Sequence, residues 1–394
     1  MEIVTRNIVR FLVQKKLLDQ DAVVAGGLAV SMSRSRNRFV RVTQRGGPGF
    51  FIKQAIATEP MSIETVKREA EIYRGAFGDE RLVALRELLP AFHDFDEGQN
   101  ILVVQLVDDA ENVAEHHRRL RRCPPDLARR LGEAIAGCHR IRFEPGKPQA
   151  ALFPQKPPWI CDLHVESDVS RLRRSRAASA LTDLLLEAHG LAAHLAAIRE
   201  DWQRDTLIHT DMKWENCLLA PRKAAPEQQR LLVIDWELAD IGDAAWDAAG
   251  ILQAYVNFWI GSMSANGGTS PDALLANAAL PIDDVQAAIS SFWDGYVQRS
   301  AAYRPVTDAF LDRCVRMMAA RMLISAYEMS AHVEVGDPRL LLVLQIAFNV
   351  FENPRQAAGE LLGIRRHQVP DPMPAAPSSQ AVREQSLTHE APHV

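Results

Sequence analysis

Apolar positions follow two different spacings along this chain, and the change between them predicts its organisation. Before residue 107, short apolar runs predict strands at residues 23–30, 39–42, 50–54, 82–95 and 101–107. Helical spacing is expected in the same region at Asn7–Leu18 and Ser62–Phe77. Later helices are predicted at Leu127–Ile141, Ala177–Ile198, Ala248–Met263, Ile282–Tyr296, Phe310–Met329 and Arg339–Phe351. The pattern predicts an α+β chain with its strands first and a mostly helical remainder.

Two segments interrupt these spacings. Phe143–Pro158 is rich in proline and is expected to form a loop. The end of the chain, residues 366–394, is rich in Pro, Ala, Ser and Gln and lacks periodicity, so we expect a disordered tail.

Composition narrows the class of protein. The chain has 394 residues, of which 47% are hydrophobic and 24% are charged, as in ordinary globular proteins. A net charge of -5 gives no general basic field, so no nucleic-acid partner is expected. Five scattered cysteines without a C-x-x-C pair suit reduced thiols. The chain shows neither a signal-peptide pattern nor an apolar run of membrane-spanning length, so we expect a cytoplasmic protein with no membrane partner.

Candidate chemistry is concentrated in two stretches, I-H-T-D-M-K-W-E-N-C-L-L at Ile208–Leu219 and V-I-D-W-E at Val233–Glu237. Asp211 supplies a carboxylate that can take a hydroxyl proton. Asn216 and Asp235 supply oxygens for a cation. Phosphoryl transfer from ATP requires these three groups. Each group alone is more often a turn or capping residue, and the ordered set carries the functional interpretation.

The ordered set, together with G-D-A-A-W-D at Gly242–Asp247, resembles the aminoglycoside phosphotransferase and choline kinase superfamily, which is related to protein kinases. The resemblance implies a bilobal, protein-kinase-like fold. Residues 1–107 would form a small nucleotide-binding lobe with an antiparallel sheet and one main helix. Residues 108–365 would form a larger helical lobe for catalysis and acceptor binding. ATP and Mg²⁺ are the implied cofactors.

The same resemblance implies roles for individual residues. Asp211 would accept or orient the proton of the attacking hydroxyl, with His209 ordering the loop. Asn216 and Asp235 would hold Mg²⁺. Lys53 would bind the α- and β-phosphates, and Glu69 would be its ion-pair partner, with Glu64 and Glu71 as open alternatives. Lys213 would contact the γ-phosphate or simply be exposed to solvent. Asp247 would hold the loop backbone, and Glu237 would reach the metal through water or be exposed to solvent.

Two groups of residues are candidates for the rest of the nucleotide. The segment after the first strand carries Ser33, Arg34, Ser35 and Arg36, whose hydroxyl and guanidinium groups suit phosphate oxygens. A solvated basic hairpin is the equal alternative. By resemblance, adenine would meet backbone groups near Gln105 to Asp108, including Val107, at the end of the apolar run 101–107.

The acceptor is the least determined part. The segments V-x-x-G-G, S-R-N-R-F, F-I-K-Q and K-W-E-N-C resemble kinases of class V lanthipeptide and thioamitide pathways. Those kinases phosphorylate Ser or Thr of a precursor peptide before a separate lyase eliminates phosphate. Thr210 stands where the superfamily commonly has Gly. Phe143–Trp159 offers a proline and aromatic strip for an extended peptide, and the segments after Asp247 carry no dense acidic cluster. The alternatives are a small-alcohol kinase of aminoglycoside, choline or sugar type, and a scaffold without turnover.

Overall fold

An antiparallel sheet dominates the first part of the chain. Its strands are β1 (Leu28–Arg34), β2 (Arg38–Gln44), β3 (Gly49–Gln54), β4 (Phe92–Asp96) and β5 (Ile101–Leu106). They lie in the order β1-β2-β3-β5-β4, which places β3 at the centre. The helices here are α1 (Thr5–Gln14), α2 (Gln20–Val24), α3 (Pro60–Gly78) and α4 (Val83–Arg86).

The alternation of β3 divides its side chains between two cores. Phe50 and Ile52 pack with Ile8 and Leu12 of α1 in one apolar cluster. The opposite face of the sheet packs on α3, and that cluster continues into the helical part of the chain. Because successive side chains of a strand point to opposite faces, Lys53 is directed toward α3.

The computed structural model describes residues 5–24, 26–34, 37–142, 148–222, 225–264, 268 and 270–365. Met1–Ile364 groups as one unit by its internal contacts, so the lobe boundary between residues 107 and 108 stays a prediction. The predicted disordered tail, residues 366–394, lies outside the described residues.

The remainder is mostly helical, as predicted. Its helices are α5 (Val113–Leu120), α6 (Pro125–His139), α7 (Arg176–Glu187), α8 (Leu191–Glu200), α9 (Ala244–Gly261), α10 (Pro271–Ala276), α11 (Ile282–Ser300), α12 (Asp308–Ser330), α13 (Pro338–Glu352) and α14 (Pro354–Glu360). Short strands lie between α4 and α9, namely β6 (Glu111–Asn112), β7 (Thr206–Ile208), β8 (Cys217–Arg222), β9 (Ala225–Val233) and β10 (Asp240–Gly242). β7 pairs with β10, while β6, β8 and β9 form a second small sheet.

Three predicted elements are wrong in their bounds. The strand expected at residues 23–30 is β1 at Leu28–Arg34, since Val23 and Val24 belong to α2. Residues 82–95 begin with the short helix α4, on which Leu85 is buried, and only the end of the segment forms β4. The single helix expected over 177–198 is two helices. They are separated at Gly190, whose φ of 78° suits glycine.

Among the described residues, no single helix has both the length and the apolar composition needed to cross a membrane. The bent pair of α7 and α8 passes that test only when the two are taken together, by length and composition alone.

Candidate active site

Lys53 is the centre of a buried charge cluster. Its Nζ lies 2.6 Å from Glu69 Oε2, 2.7 Å from Asp235 Oδ1 and 2.9 Å from Glu237 Oε2. The residue is only 2% exposed. One ammonium group from the sheet therefore contacts three carboxylates, one from α3 and two from the segment that follows β9.

The three carboxylates compete for that single positive charge. Burial raises the pKa of Glu69 to about 7, although the charge of Lys53 works in the opposite direction. Burial also opposes ionisation of Asp235, but Lys53 outweighs it and the pKa of Asp235 is lowered. The pKa of Lys53 is raised, because the carboxylates together outweigh its burial. With its groups ionised, the cluster has an excess of negative charge that a divalent cation would offset.

The oxygens of this cluster suit magnesium. Ligand atoms of Glu69, Asp235 and Glu237 all lie within 4.8 Å of one another. Asn216, the other predicted ligand, is on the adjacent segment, because the Ile234 amide donates to the Asn216 carbonyl at 2.9 Å. Carboxylate and amide oxygens are hard ligands of the kind that Mg²⁺ prefers. The residues present therefore fit the implied metal.

The loop after β7 is held by a buried carboxylate on α9. Asp247 accepts hydrogen bonds from the amides of His209 at 2.6 Å and Thr210 at 3.0 Å. Burial opposes its charge, but His139, with Nε2 at 3.4 Å, and the loop contacts lower the pKa of Asp247. His209 Nε2 lies 2.9 Å from the Ile234 carbonyl, which links this loop to the end of β9.

Asp211 lies just beyond these anchors. Lys213 Nζ is 2.8 Å from Asp211 Oδ2, and Asn216 Nδ2 donates to the Asp211 carbonyl at 2.8 Å. The side chain of Asp211 is 30% exposed. Burial lowers the pKa of Lys213, but Asp211 and other carboxylates outweigh it and the pKa is raised. Lys213 is therefore an ion-pair partner of Asp211.

Asp211 and Lys213 open onto a cavity of about 990 Å³. Its walls come from the start of α3, the segment 154–159, the loop after β7, α9 and α12. Apolar side chains in the lining include Met61, Pro154, Pro157, Pro158, Trp159, Trp214, Phe258 and Ile324. Acidic side chains include Glu64, Glu215 and Glu328.

Asp240 fixes the proline-rich wall of the cavity. Its carboxylate accepts hydrogen bonds from the amides of Gln155 at 2.8 Å and Lys156 at 3.3 Å. Burial raises the pKa of Asp240, and these amides partly oppose the rise. Asp240 belongs to β10 and is paired with Ile208 of β7, directly before the loop of Asp211. The wall and the loop are thus attached to the same pair of strands.

The predicted nucleotide residues outside this cluster are more dispersed. Ser33 and Arg34 lie within β1 and are exposed, so they are not in the expected loop, because the β1–β2 pairing extends to Arg34 and Arg38. Ser35 and Arg36 lie outside the described residues. The Gln105 amide donates to the Ala91 carbonyl at 2.8 Å, so this hydrogen-bond donor already has a partner within the protein. Val107 follows the last paired residue of β5.

Comparison with known proteins decides the family. The model of the phosphotransferase enzyme family matches residues 37–279, which is more than half of the chain. The chain belongs to this phosphotransferase enzyme family. The matched span contains Lys53, Asp211, Asn216, Asp235 and Asp247, so the family assignment and the predicted site cover the same region. No curated protein sequence matches this phosphotransferase.

Solved structures show the fold of the phosphotransferase. A choline kinase from Cryptosporidium parvum Iowa II is 12% identical with a TM-score of 0.53, over 89% of this chain and 97% of that one. A microcompartment-associated aminopropanol kinase is 14% identical with a TM-score of 0.52, over 91% of this chain and 99% of that one. The predicted bilobal, protein-kinase-like α+β fold is confirmed.

The sequence did not reveal two buried residues of the phosphotransferase. Asn37 Nδ2 donates to Glu237 Oε2 at 2.7 Å, and Asn37 Oδ1 accepts from the Ser62 hydroxyl at 2.6 Å. Arg321 of α12 donates to carbonyls of the loop around Asp211. An arginine inside the apolar run M-M-A-A-R-M-L-I was a signal for a buried polar contact, but the sequence could not name its partner.

Proposed function

We propose that the enzyme transfers the γ-phosphoryl group of ATP to a hydroxyl group, with Asp211 as the proton acceptor. The hydroxyl oxygen forms a bond to phosphorus, the bond from phosphorus to the departing ADP breaks, and Asp211 takes or orients the hydroxyl proton. One observation carries the proposal. The Asp211 carboxylate lines the cavity beside Lys213, on a loop whose backbone Asp247 holds.

The charge cluster around Lys53 supports the nucleotide side of the proposal. Lys53 would bind the α- and β-phosphates, and Asn216 and Asp235 would hold Mg²⁺, with Glu237 beside them. Bound Mg²⁺ would supply positive charge to offset that on the phosphoryl oxygens. His209 would keep the Asp211 loop against the end of β9, and backbone groups near Val107 would meet adenine.

We further propose that the acceptor hydroxyl belongs to Ser or Thr of a peptide. Pro154, Pro157, Pro158 and Trp159 line the same cavity as Asp211, and Met61 at its edge is 66% exposed. Proline and aromatic side chains beside an open cleft suit an extended peptide backbone.

The resemblance to lanthipeptide and thioamitide kinases supports a further step outside this enzyme. A separate lyase would remove the proton from Cα of the phosphorylated residue and release phosphate, which leaves a dehydroamino acid. Such a lyase is the proposed partner. All five cysteines are free and buried, which suits a reducing compartment such as the cytoplasm.

The acidic lining favours a second candidate, a small amino alcohol. Glu64, Glu215 and Glu328 bring carboxylates to the cavity, although only Glu328 comes from the segments after Asp247. Carboxylates of this kind would attract a cationic acceptor. A scaffold without turnover is disfavoured, because Lys53, Asp211 and their neighbours are brought together.

Mass spectrometry separates these candidates. The enzyme is incubated with ATP, Mg²⁺ and either a Ser/Thr-containing peptide encoded beside its gene or a panel of aminoglycosides, choline and other small alcohols. A gain of one phosphate on the peptide alone supports the peptide acceptor. Efficient phosphorylation of a small alcohol beside an unmodified peptide would instead establish the second candidate. The Asp211→Asn variant serves as the control for enzyme-dependent transfer.

A further inference from the structure

Arg321 bonds to the backbone on both sides of Asp211. Its Nη1 donates to the Thr210 carbonyl at 3.0 Å, and its Nη2 donates to the Met212 carbonyl at 2.7 Å. Arg321 lies in the middle of α12, more than a hundred residues further along the chain, and is 7% exposed. One guanidinium group therefore fixes the carbonyl groups of the two residues that flank the proposed proton acceptor.

The backbone that Arg321 holds is strained. Thr210 has a φ of 68°, in the left-handed region, where a β-branched side chain is disfavoured by about 1–3 kcal/mol. Both of its peptide groups are bonded. Its amide donates to Asp247, and its carbonyl accepts from Trp246 Nε1 at 2.8 Å as well as from Arg321. Such a conformation persists only where the surroundings determine it, and Arg321 is one of those determinants.

Helix α9 leaves room for this arrangement. At Gly250, an added Cβ would lie 2.3 Å from the Met212 carbonyl oxygen and 2.9 Å from Arg321 Cζ. The Trp246 ring lies 5.0 Å from the guanidinium, in the range of a cation–π contact. A larger residue at position 250 would displace either the loop or the arginine, so α9 and α12 are fitted to each other around this contact.

The contacts of Arg321 differ from those of an ordinary structural ion pair. Its hydrogen bonds go to carbonyl groups, and its buried Nε has no hydrogen-bond partner among the described residues. Burial lowers the pKa of Arg321, while Asp211, Asp247 and Glu328 act in the opposite direction. Burying a cation without a bonded carboxylate is costly, which indicates a benefit other than stability.

We infer that Arg321 is a positioning residue for phosphoryl transfer, which keeps Thr210 left-handed and thereby directs Asp211 toward the cavity. The inference rests on the proposed role of Asp211. Arg321 itself need not touch the acceptor, and its effect reaches the reaction through the two carbonyl groups. Misplacement of a reacting group by about 1 Å is enough to cost on the order of a hundredfold in rate.

The test is a steady-state comparison of Arg321→Met with Arg313→Met. Arg313 is on the same helix and bonds to Asp243 without contacting the loop, so the pair controls for loss of an arginine from α12. Turnover is measured with the acceptor found by mass spectrometry and, without acceptor, as release of ADP from ATP and Mg²⁺. For Arg321→Met we expect kcat to fall roughly ten- to a hundredfold, with KM for ATP changed less than about twofold. Arg313→Met is expected to keep the wild-type kcat.

A double-mutant cycle with Thr210→Gly distinguishes positioning from general support. Glycine adopts a positive φ without strain, so Arg321→Met should cost much less kcat in the Thr210→Gly background than alone. Arg321→Lys, which retains the charge but cannot bond both carbonyls in the same plane, should lie between wild type and Arg321→Met. It also carries the test if Arg321→Met fails to fold.

The outcomes separate this inference from the proposed function. Wild-type kcat in Arg321→Met and Arg321→Lys, or equal losses with and without Thr210→Gly, would overturn the inference. If Asp211→Asn retains full turnover, the proposed role of Asp211 itself is wrong. If Asp211→Asn is inactive while both Arg321 variants are fully active, only the positioning role fails.

Discussion

Asn37 and Glu237 are 200 positions apart, yet Asn37 Nδ2 donates a hydrogen bond to Glu237 Oε2 at 2.7 Å. The same carboxylate oxygen lies 2.9 Å from Lys53 Nζ. Asn37 is also bonded to Ser62, near the start of α3. Asn37 and the Glu237 carboxylate therefore connect β3 and the start of α3 with the segment that follows β9.

Replacement of Lys53 should weaken nucleotide binding. In Lys53→Ala, three carboxylates remain without their shared cation and would repel the phosphates, so we expect affinity for ATP to fall at least about tenfold and turnover to fall with it. Calorimetric titration with a non-hydrolysable ATP analogue and Mg²⁺ measures the affinity. Lys67→Ala, an exposed lysine of α3, is the control. Unchanged affinity in Lys53→Ala would mean that another cation, such as Arg34, makes the phosphate contact.

Asp211→Asn should separate binding from transfer. The amide keeps the shape of the side chain but cannot take the hydroxyl proton, so we expect turnover to fall about 10²- to 10⁴-fold while ATP and Mg²⁺ still bind. Rapid-quench assays and the same calorimetric titration give the two quantities. Asp183→Asn, at an exposed ion pair on α7, should match wild type in both. Wild-type turnover in Asp211→Asn would remove Asp211 from the mechanism.

Glu69 should make the free enzyme less stable as pH rises. Burial raises its pKa from 4.5 to about 7, so between these values the folded state holds more protons than the unfolded state. The free energy of unfolding therefore decreases from pH 4.5 to pH 7, by at most about 3 kcal/mol from this group. Urea unfolding at pH 5 and pH 7.5 measures the change. Glu69→Gln should lack this component, and an identical pH slope in both proteins would contradict the assignment.

His117 should have the opposite effect. It is fully buried, and its ring lies 4.2 Å from that of Trp214. Burial, with a smaller effect of His116, lowers the pKa of His117 from 6.5 to about 3. The unfolded state therefore binds more protons below pH 6.5, and stability is lost as pH falls toward 3. Relative to its value at pH 8, the free energy of unfolding should fall less for His117→Phe than for wild type as the pH is lowered from 6.5 to 4.5. Equal acid sensitivity would show that His117 is not the group responsible.

The sequence predicted the groups whose positions are set locally. His209, Asp211 and Asn216 lie within eight residues, and β8 and β9 bring Asp235 next to them by hairpin pairing, so spacing alone was informative. Arg321 could not be assigned to the loop, because its distance from Asp211 in space depends on how α12 packs against α9. Asn37 was missed for a related reason, since its partner Glu237 belongs to a distant part of the chain.

Ser33 and Arg34 lie in a strand and not in the predicted loop for a local physical reason. The alternation of Leu28, Val30 and Met32 continues the strand pattern past residue 30, and pairing with β2 satisfies the backbone as far as Arg34. The loop was predicted because the polar residues after residue 30 were given more weight than the alternation of apolar residues along the strand. The one helix predicted over 177–198 failed similarly, since the apolar spacing hid the turn at Gly190.

The attachment of the proline-rich wall has a consequence for how this enzyme could change over generations. Asp240 holds residues 155 and 156 through their backbone amides, which every amino acid except proline supplies. The contacts that Asp240 makes with the segment therefore do not depend on which side chains residues 155 and 156 carry. A lineage could acquire new acceptor preferences there, one substitution at a time, while the apparatus on the loop after β7 stays as it is.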